Sequence, residues 1–236
     1  MADHVVRIWR EPDEGLWEVC EGSGYFVYSK VMCWVALDRA IKLSEVYGYE
    51  GNRALWKAEK NEIYKEVMEK GYNREIGAFT QRFNSEDLDA SVLLLPVVGF
   101  IAGDDPKMLS TIDSIEKTLV DKNGLMRRYL SSDGFPGVEG AFLLASFWLV
   151  DAYVYAGKRD KAVKLFERLL SYKNHVGLYS EEIDPKTKAF LGNFPQAYTH
   201  IGLINTALLL DREEGYLFQR LRNIFNIFKK LFTEEK

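Results

Sequence analysis

The sequence predicts an all-α fold of the α/α toroid type, and three observations predict it. Stretches that are apolar on nearly every side alternate with amphipathic ones. The segments that lead from an amphipathic stretch to the next apolar one are long and rich in Gly, Asn, Asp, Ser and aromatic residues. The chain has 236 residues, 47% hydrophobic and 14% aromatic, enough to bury a large core. A helix that is apolar all round needs neighbours on every side, and an inner layer of helices wrapped by an outer layer supplies them.

The elements follow in order. Ser29 is read as an N-cap, Val31 to Val46 runs without Gly or Pro, and Gly48 suits the stop. Ala54 to Lys70 carries a stripe of Leu55, Ile63 and Val67 among Lys57, Glu59, Lys60, Glu62, Lys65 and Glu66, the pattern of a half-exposed helix. Leu88 to Phe100 is apolar almost all round and is expected to be a second buried helix. Pro106 to Leu119 mixes Ile112 and Ile115 with Lys107, Asp113, Glu116 and Lys117. Glu139 to Ala156 is again nearly all apolar, and Asp160 to Leu170 is amphipathic. Pro195 to Leu210 is apolar, and Gly215 to Phe232 is amphipathic and basic. Four buried helices thus alternate with four half-exposed ones, at intervals too uneven for a fixed-period solenoid. Trp34 and Trp148, on apolar stretches, read as core fillers.

Composition excludes several classes. The formal net charge is -4, with both signs interspersed, so no basic stripe exists to track nucleic-acid phosphates. Cys20 and Cys33 lack any metal-ligand spacing and read as ordinary thiols of a reducing compartment, so neither a metal nor a cofactor is expected. The N-terminal Met1-Ala2-Asp3-His4 opens no secretory signal, and the expected location is cytoplasmic. The longest apolar run, Ala141 to Val150, is relieved only by Ser146 and closed by Asp151, too short to cross a bilayer.

The candidate chemistry lies on the connectors Gly71 to Asp87, Asp121 to Val138 and Ser171 to Phe194, since long ordered loops in a compact domain usually carry function. Gly15-Leu16-Trp17-Glu18 near the start and Tyr179-Ser180-Glu181-Glu182-Ile183-Asp184 far downstream each precede an apolar helix, which would set two carboxylates across one cleft. Two facing carboxylates are what glycosidic bond cleavage requires: one acid to protonate the leaving oxygen, and a second group to act as nucleophile or to activate water. Trp17 could supply the apolar wall that keeps an acid at position 18 protonated. Successive residues of an extended segment point to opposite faces, so Glu181 and Glu182 do not enter the cleft equally. From the residues alone, Glu182 and Asp184 compete with Glu181, and Arg127 competes with Arg128. His200, on the last apolar helix, reads as a core histidine, and Lys30 as bonded to a loop or to a substrate hydroxyl.

The residues also carry a resemblance. Glu11-Pro12-Asp13-Glu14-Gly15-Leu16-Trp17-Glu18, Tyr28-Ser29-Lys30-Val31-Met32-Cys33-Trp34, Glu139-Gly140-Ala141-Phe142 with Ser146-Phe147-Trp148, and Gly192-Asn193-Phe194-Pro195-Gln196-Ala197-Tyr198 resemble glycoside hydrolase family 15, which contains glucoamylases, glucodextranases and some trehalases. The resemblance covers essentially the whole chain. It implies an (α/α)6 barrel of twelve helices and hydrolysis of α-glucosidic bonds with inversion. Glu18 matches the general acid and Glu181 the general base, while Arg128, Trp17, Tyr198 and Glu182 match positions that hold the sugar. The implied substrate is an α-glucan oligosaccharide or trehalose.

Against that pattern, Glu18 stands where five barrel helices should precede it. Residues 1–236 are therefore expected to form a single partial catalytic domain, with about seven of the twelve barrel helices and a C-terminal helix. An open ring should expose apolar flanks near Val31 to Val46 and Pro195 to Leu210, and such patches mark interaction surfaces. A separately encoded N-terminal half or self-association would cover them. A noncatalytic carbohydrate-binding or assembly partner derived from such an enzyme is the alternative.

Overall fold

The computed structural model describes residues 1–18, 22–131 and 139–214. The helix expected over Gly215 to Phe232, together with Cys20, lies outside the described residues.

Seven α-helices are described: α1 (Ala2–Ile8), α2 (Val27–Tyr47), α3 (Arg53–Glu66), α4 (Pro106–Leu119), α5 (Leu143–Tyr155), α6 (Arg159–Leu170) and α7 (Ala197–Glu214). A five-residue π turn, Val67–Gly71, continues α3. Local chemistry accounts for several boundaries. Asp105 caps α4 by accepting from the Lys107 amide at 2.8 Å, with Pro106 in the first turn where a missing N–H costs nothing. Asn52 caps α3 through Leu55 N at 3.1 Å. Gly48 ends α2 in the left-handed conformation (φ 70°), as expected for a C-terminal glycine.

Two expectations are corrected. Ser29 is not the cap of α2; the helix starts at Val27, and the Ser29 hydroxyl bonds Asp13 Oδ1 at 2.6 Å instead. Leu88 to Phe100 is not an α-helix. It holds a 3-10 turn, Ala90–Leu94, followed by irregular turns. Pro96 has no N–H to donate to a carbonyl one turn back, so the turn does not run on as an α-helix even though Leu95 keeps helical angles (φ -54°, ψ -47°), and Gly99 turns the chain at φ 80°. The segment is nonetheless buried, so its apolar composition reports the place of the segment and not its conformation.

The layers match the alternation read from the sequence. α2, the 90–94 turn, α5 and α7 pack side by side as an inner run; α3 covers α2, α4 covers the turn and α5, and α6 covers α5. Val31, Leu37, Ile63, Leu93, Ile112, Ile115, Phe147 and Leu149 are fully buried in the shared core. Outer helices are stitched by surface pairs, Lys158 with Asp113 at 2.9 Å and Lys161 with Glu116. The end helices of the inner run keep apolar faces in solvent: Met32, Leu43 and Val46 on α2, and Tyr198, Ile201, Ile204 and Leu208 on α7. Among the described residues no helix is long and apolar enough to cross a membrane.

The connectors carry the only strands described. β1 (Tyr72–Asn73) pairs antiparallel with β2 (Ala78–Phe79). β3 (Ala141–Phe142), β4 (Glu182–Ile183) and β5 (Phe190–Leu191) form an antiparallel sheet in the order β3-β4-β5, with Phe142 opposite Glu182 and Glu182 opposite Leu191. This small sheet joins the connector before α5 to the one before α7, and so fixes the downstream carboxylates relative to Arg128 and Phe142.

Candidate active site

Three connectors and the first turns of α5 and α7 enclose an open cleft of about 800 Å³. Leu16, Trp17, Glu18, Arg128, Glu181 and Tyr198 line it, with Tyr28, Phe142, Leu144, Trp148, Asn193 and Gln196. Glu18 and Glu181, 163 positions apart in the sequence, thus share one cavity.

Glu18 sits on a turn with φ 50°, a left-handed conformation that costs a residue bearing a side chain about 1–2 kcal/mol. It is exposed, so the described residues do not bury it as an acid would require. Trp17, just before it, is half-buried and held at several points. Its Nε1 donates to Asp89 Oδ2 at 2.9 Å, and its ring meets Phe142 edge-on at 5.6 Å and Trp148 at 6.0 Å. The Arg128 guanidinium stands 5.3 Å from the Trp17 ring, within cation–π range.

Glu181 is held from one side. Its Oε2 accepts from both the backbone N and the side-chain Nδ2 of Asn193, each at 2.9 Å. The chain approaches so closely that a Cβ on Gly192, whose φ is 69°, would lie 2.7 Å from that oxygen. Glycine is the residue that this passage admits.

The alternation expected of the 181–182 segment is present. Glu181 lines the cleft, whereas Glu182 turns to the other face, where its Oε2 accepts from Gly140 N at 3.2 Å and its Oε1 lies 4.0 Å from Arg128 Nη2. Burial pushes the Glu182 carboxyl above its ordinary range, against the pull of Arg128 and of the Gly140 N–H. Glu182 is not among the cleft's lining residues, and its side chain reaches toward Arg128, which is. Asp184 serves its own turn, accepting from Lys186 N at 2.7 Å.

Arg128 lines the cleft while pairing with Glu139. Arg127 is not among the lining residues. Tyr198, at the start of α7, is 67% exposed and presents its ring to the cleft. Trp148, read from the sequence as a core filler, is only half-buried and forms cleft wall, because its position on α5 falls beneath the Trp17 loop. Trp34 is core, as its helix pattern suggests. His200 lies outside the cleft lining, accepting from Tyr179 N at 3.3 Å and meeting Gln196 O at 2.6 Å. Lys30 is buried and bonds the carbonyls of Trp9 and Glu11, the loop alternative of its two readings.

Sequence reasoning missed Asp89, Asn193 and Glu139. Asp89 is 1% exposed and accepts from Ser91 N, Gln81 Nε2 and Trp17 Nε1, and burial pushes its carboxyl up despite those bonds. The Ser-Glu-Asp-Leu-Asp run from Ser85 to Asp89 offers no signal of this, because only the fold selects the last aspartate for burial.

Two carboxylates and an arginine thus line one aromatic-walled cleft of a two-layer helical array. The comparisons are specific. A model of the glycosyl hydrolases family 15 matches residues 1–208, and the chain belongs to that family. Trehalases of Thermoplasma volcanium and Mycobacterium tuberculosis are 42% and 44% identical over 207 and 216 residues, covering 88% and 90% of this chain. The chain spans about a third of the length of these curated relatives, 33% and 32%. A bacterial glucoamylase solved in complex with acarbose superposes with a TM-score of 0.74 at 19% identity, covering 89% of this chain and 37% of that one. A wild-type glycosidase superposes with a TM-score of 0.76, covering 89% and 58%. The fold is thus that of the family's helical barrel, of which this chain forms a part.

Proposed function

We propose that this chain carries the acid and the base of an inverting α-glucoside hydrolase, with Glu18 protonating the leaving oxygen and Glu181 activating the attacking water. The observation that carries the reading is that both carboxylates line one cleft. Asn193 occupies Oε2 of Glu181 with two hydrogen bonds, so Oε1 is the oxygen assigned to the water. Arg128 and Tyr198 hold the sugar, and Trp17 and Trp148 give apolar faces for its C–H edges. In an inverting pair the carboxyl groups stand about 6.5–9.5 Å apart, leaving room for that water. No metal or cofactor enters these steps.

Among α-glucosides, trehalose is favoured, because the curated relatives named above are trehalases. An α-glucan oligosaccharide is the second substrate class, in line with the glucoamylase likeness. The exposure of Glu18 and of the α2 and α7 faces supports a cleft whose remaining wall comes from another polypeptide segment or a second copy. The same exposure favours one alternative, a carbohydrate-binding or assembly partner that does not itself hydrolyse.

Glucose release from trehalose and from maltooligosaccharides, compared among the wild type, Glu18→Gln and Glu181→Gln, tests the reading. General acid–base groups contribute about 10²–10⁴-fold, and each substitution should lose a factor of that size. Release that survives Glu181→Gln unchanged would remove Glu181 from the mechanism.

A further inference from the structure

Asp89 is a carboxylate that the proposed chemistry does not use, and it is placed in an unusual way. It accepts three hydrogen bonds, and the donors come from three segments. Oδ1 takes the amide of Ser91 in its own 3-10 turn at 2.7 Å. Oδ2 takes Gln81 Nε2 from the connector after β2 at 3.0 Å and Trp17 Nε1 from the Glu18 turn at 2.9 Å. The backbone on either side extends the tie: Asp89 bridges Tyr129, and Ala90 N donates to Arg128 O at 2.8 Å. Asp89 therefore connects, through its side chain, to the turn that bears Glu18 and, through the backbone beside it, to the segment that bears Arg128.

The turn needs such an anchor. Glu18 has a left-handed backbone without being glycine, and conformations of that kind persist only where the surroundings over-determine them. Glu18 itself is exposed, so its own side chain supplies little of the constraint. What the turn does have is the Trp17 indole, gripped at its N–H by Asp89 and flanked by Phe142, Trp148 and Tyr129. The aromatic contacts are non-directional and would tolerate rotation of the ring in its slot. The hydrogen bond to the buried Asp89 carboxyl does not, because such a bond weakens steeply away from linear geometry and so fixes the ring edge.

We propose that Asp89 is a positioning residue for the acid: by holding the Trp17 N–H it sets the Trp17–Glu18 backbone, and so the direction in which Glu18 enters the cleft. The inference rests on Glu18 as the acid for its catalytic meaning, but its structural content stands apart from it. It is also specific about chemistry. Asparagine is not a conservative replacement, because its single carbonyl oxygen cannot serve Ser91 N on one side and Gln81 and Trp17 on the other.

The test uses the whole chain labelled with ¹⁵N, comparing wild type, Asp89→Asn, Trp17→Phe and the double variant. Trp17→Phe keeps a six-membered aromatic ring but removes the indole N–H with its fused ring, so it breaks the bond even where Asp89→Asn fails to fold. The expected result is a protected Trp17 indole signal in the wild type, exchanging at least ten times faster in Asp89→Asn. The Glu18 amide should lose order, seen as a fallen heteronuclear NOE, in both single variants while core amides such as Ile115 keep theirs. On trehalose, kcat should fall about tenfold in Asp89→Asn with KM within twofold; Trp17→Phe, which also alters the cleft wall, should lose at least as much kcat, and the double variant should be no worse than Trp17→Phe. An ordered Glu18 amide in Trp17→Phe, or additive losses in the double variant, would overturn the proposal. If the wild type does not hydrolyse at all, the catalytic reading fails, and the NMR comparison alone decides whether Asp89 sets the turn.

Discussion

Glu181 illustrates how much of a site is made by residues with no chemistry of their own. Its carboxylate is oriented by Asn193, and Asn193 can approach only because residue 192 has no side chain. Gly192→Ala should therefore cost about 1–2 kcal/mol for the left-handed backbone and displace Glu181 as well. Urea unfolding should show the stability loss, and hydrolysis should drop further than Asn193→Ala alone, which leaves the backbone bond in place. These pairings were only partly legible in the sequence. Glu18, Glu181, Arg128, Trp17 and Tyr198 could be named from motifs, and period-2 alternation separated Glu181 from Glu182. Asp89 and Asn193 could not, because their roles arise from contacts between connectors distant in sequence. Trp148 was misread for a related reason: an apolar stretch shows that a helix is buried, but not which of its turns lies beneath a loop.

At the scale of elements, the packing of α5 on α7 joins stability to pH. Gly202 on α7 permits close approach, since a Cβ there would lie 2.6 Å from Leu144 Cδ1. Beneath this contact Asp151, 7% exposed, accepts from Thr206 Oγ1 at 2.7 Å, and burial pushes its carboxyl up to about 6. A folded-state value above the unfolded one means that the native state binds the proton more tightly. The Asp151 contribution is thus favourable at low pH and is lost as pH rises from about 4 to about 6, a change on the order of 3 kcal/mol. Asp151→Asn keeps an acceptor for Thr206 and removes the titration. Its stability relative to wild type should rise across that window and level off above it, measured by urea unfolding from pH 4 to 7.5. A constant difference would show that Asp151 does not titrate there. Packing alone sets a second expectation. Phe147, fully buried against Phe166 and Tyr179, should cost about 3–5 kcal/mol when cut to alanine, measured in the same way. Helix type and most boundaries were legible from periodicity, as α4 shows: Pro106 to Leu119 is its expected and its observed span. The 88–100 segment was not, because hydrophobicity signals burial while Pro96 and Gly99 decide the backbone.

The whole molecule is an inner run of α2, the 90–94 turn, α5 and α7 under an outer layer, with apolar side chains left in solvent at both ends. Val46 is 73% exposed beside Leu43 on α2, and Ile204 55% between Ile201 and Leu208 on α7, so each end carries a run of apolar side chains in solvent, the kind of patch that marks an interaction surface. The purified chain should associate with rising concentration in sedimentation experiments, and Val46→Glu with Ile204→Glu should return it to a monomer with an unchanged far-UV spectrum. Association that is insensitive to both substitutions would place the interface elsewhere. The same openness leaves Glu18 exposed, so closure of the cleft and assembly are expected to go together.

The proposed pairing of Glu18 as acid with Glu181 as base implies inversion, and the stereochemistry of the product is the first thing to measure. Proton NMR of the first turnovers, before mutarotation, distinguishes the anomers released by the chain. Inversion predicts β-glucose from maltooligosaccharides and equal amounts of α- and β-glucose from trehalose, since water attacks one anomeric carbon and the other keeps its configuration. Only α-glucose from either substrate, or no glucose from a folded chain, would contradict it.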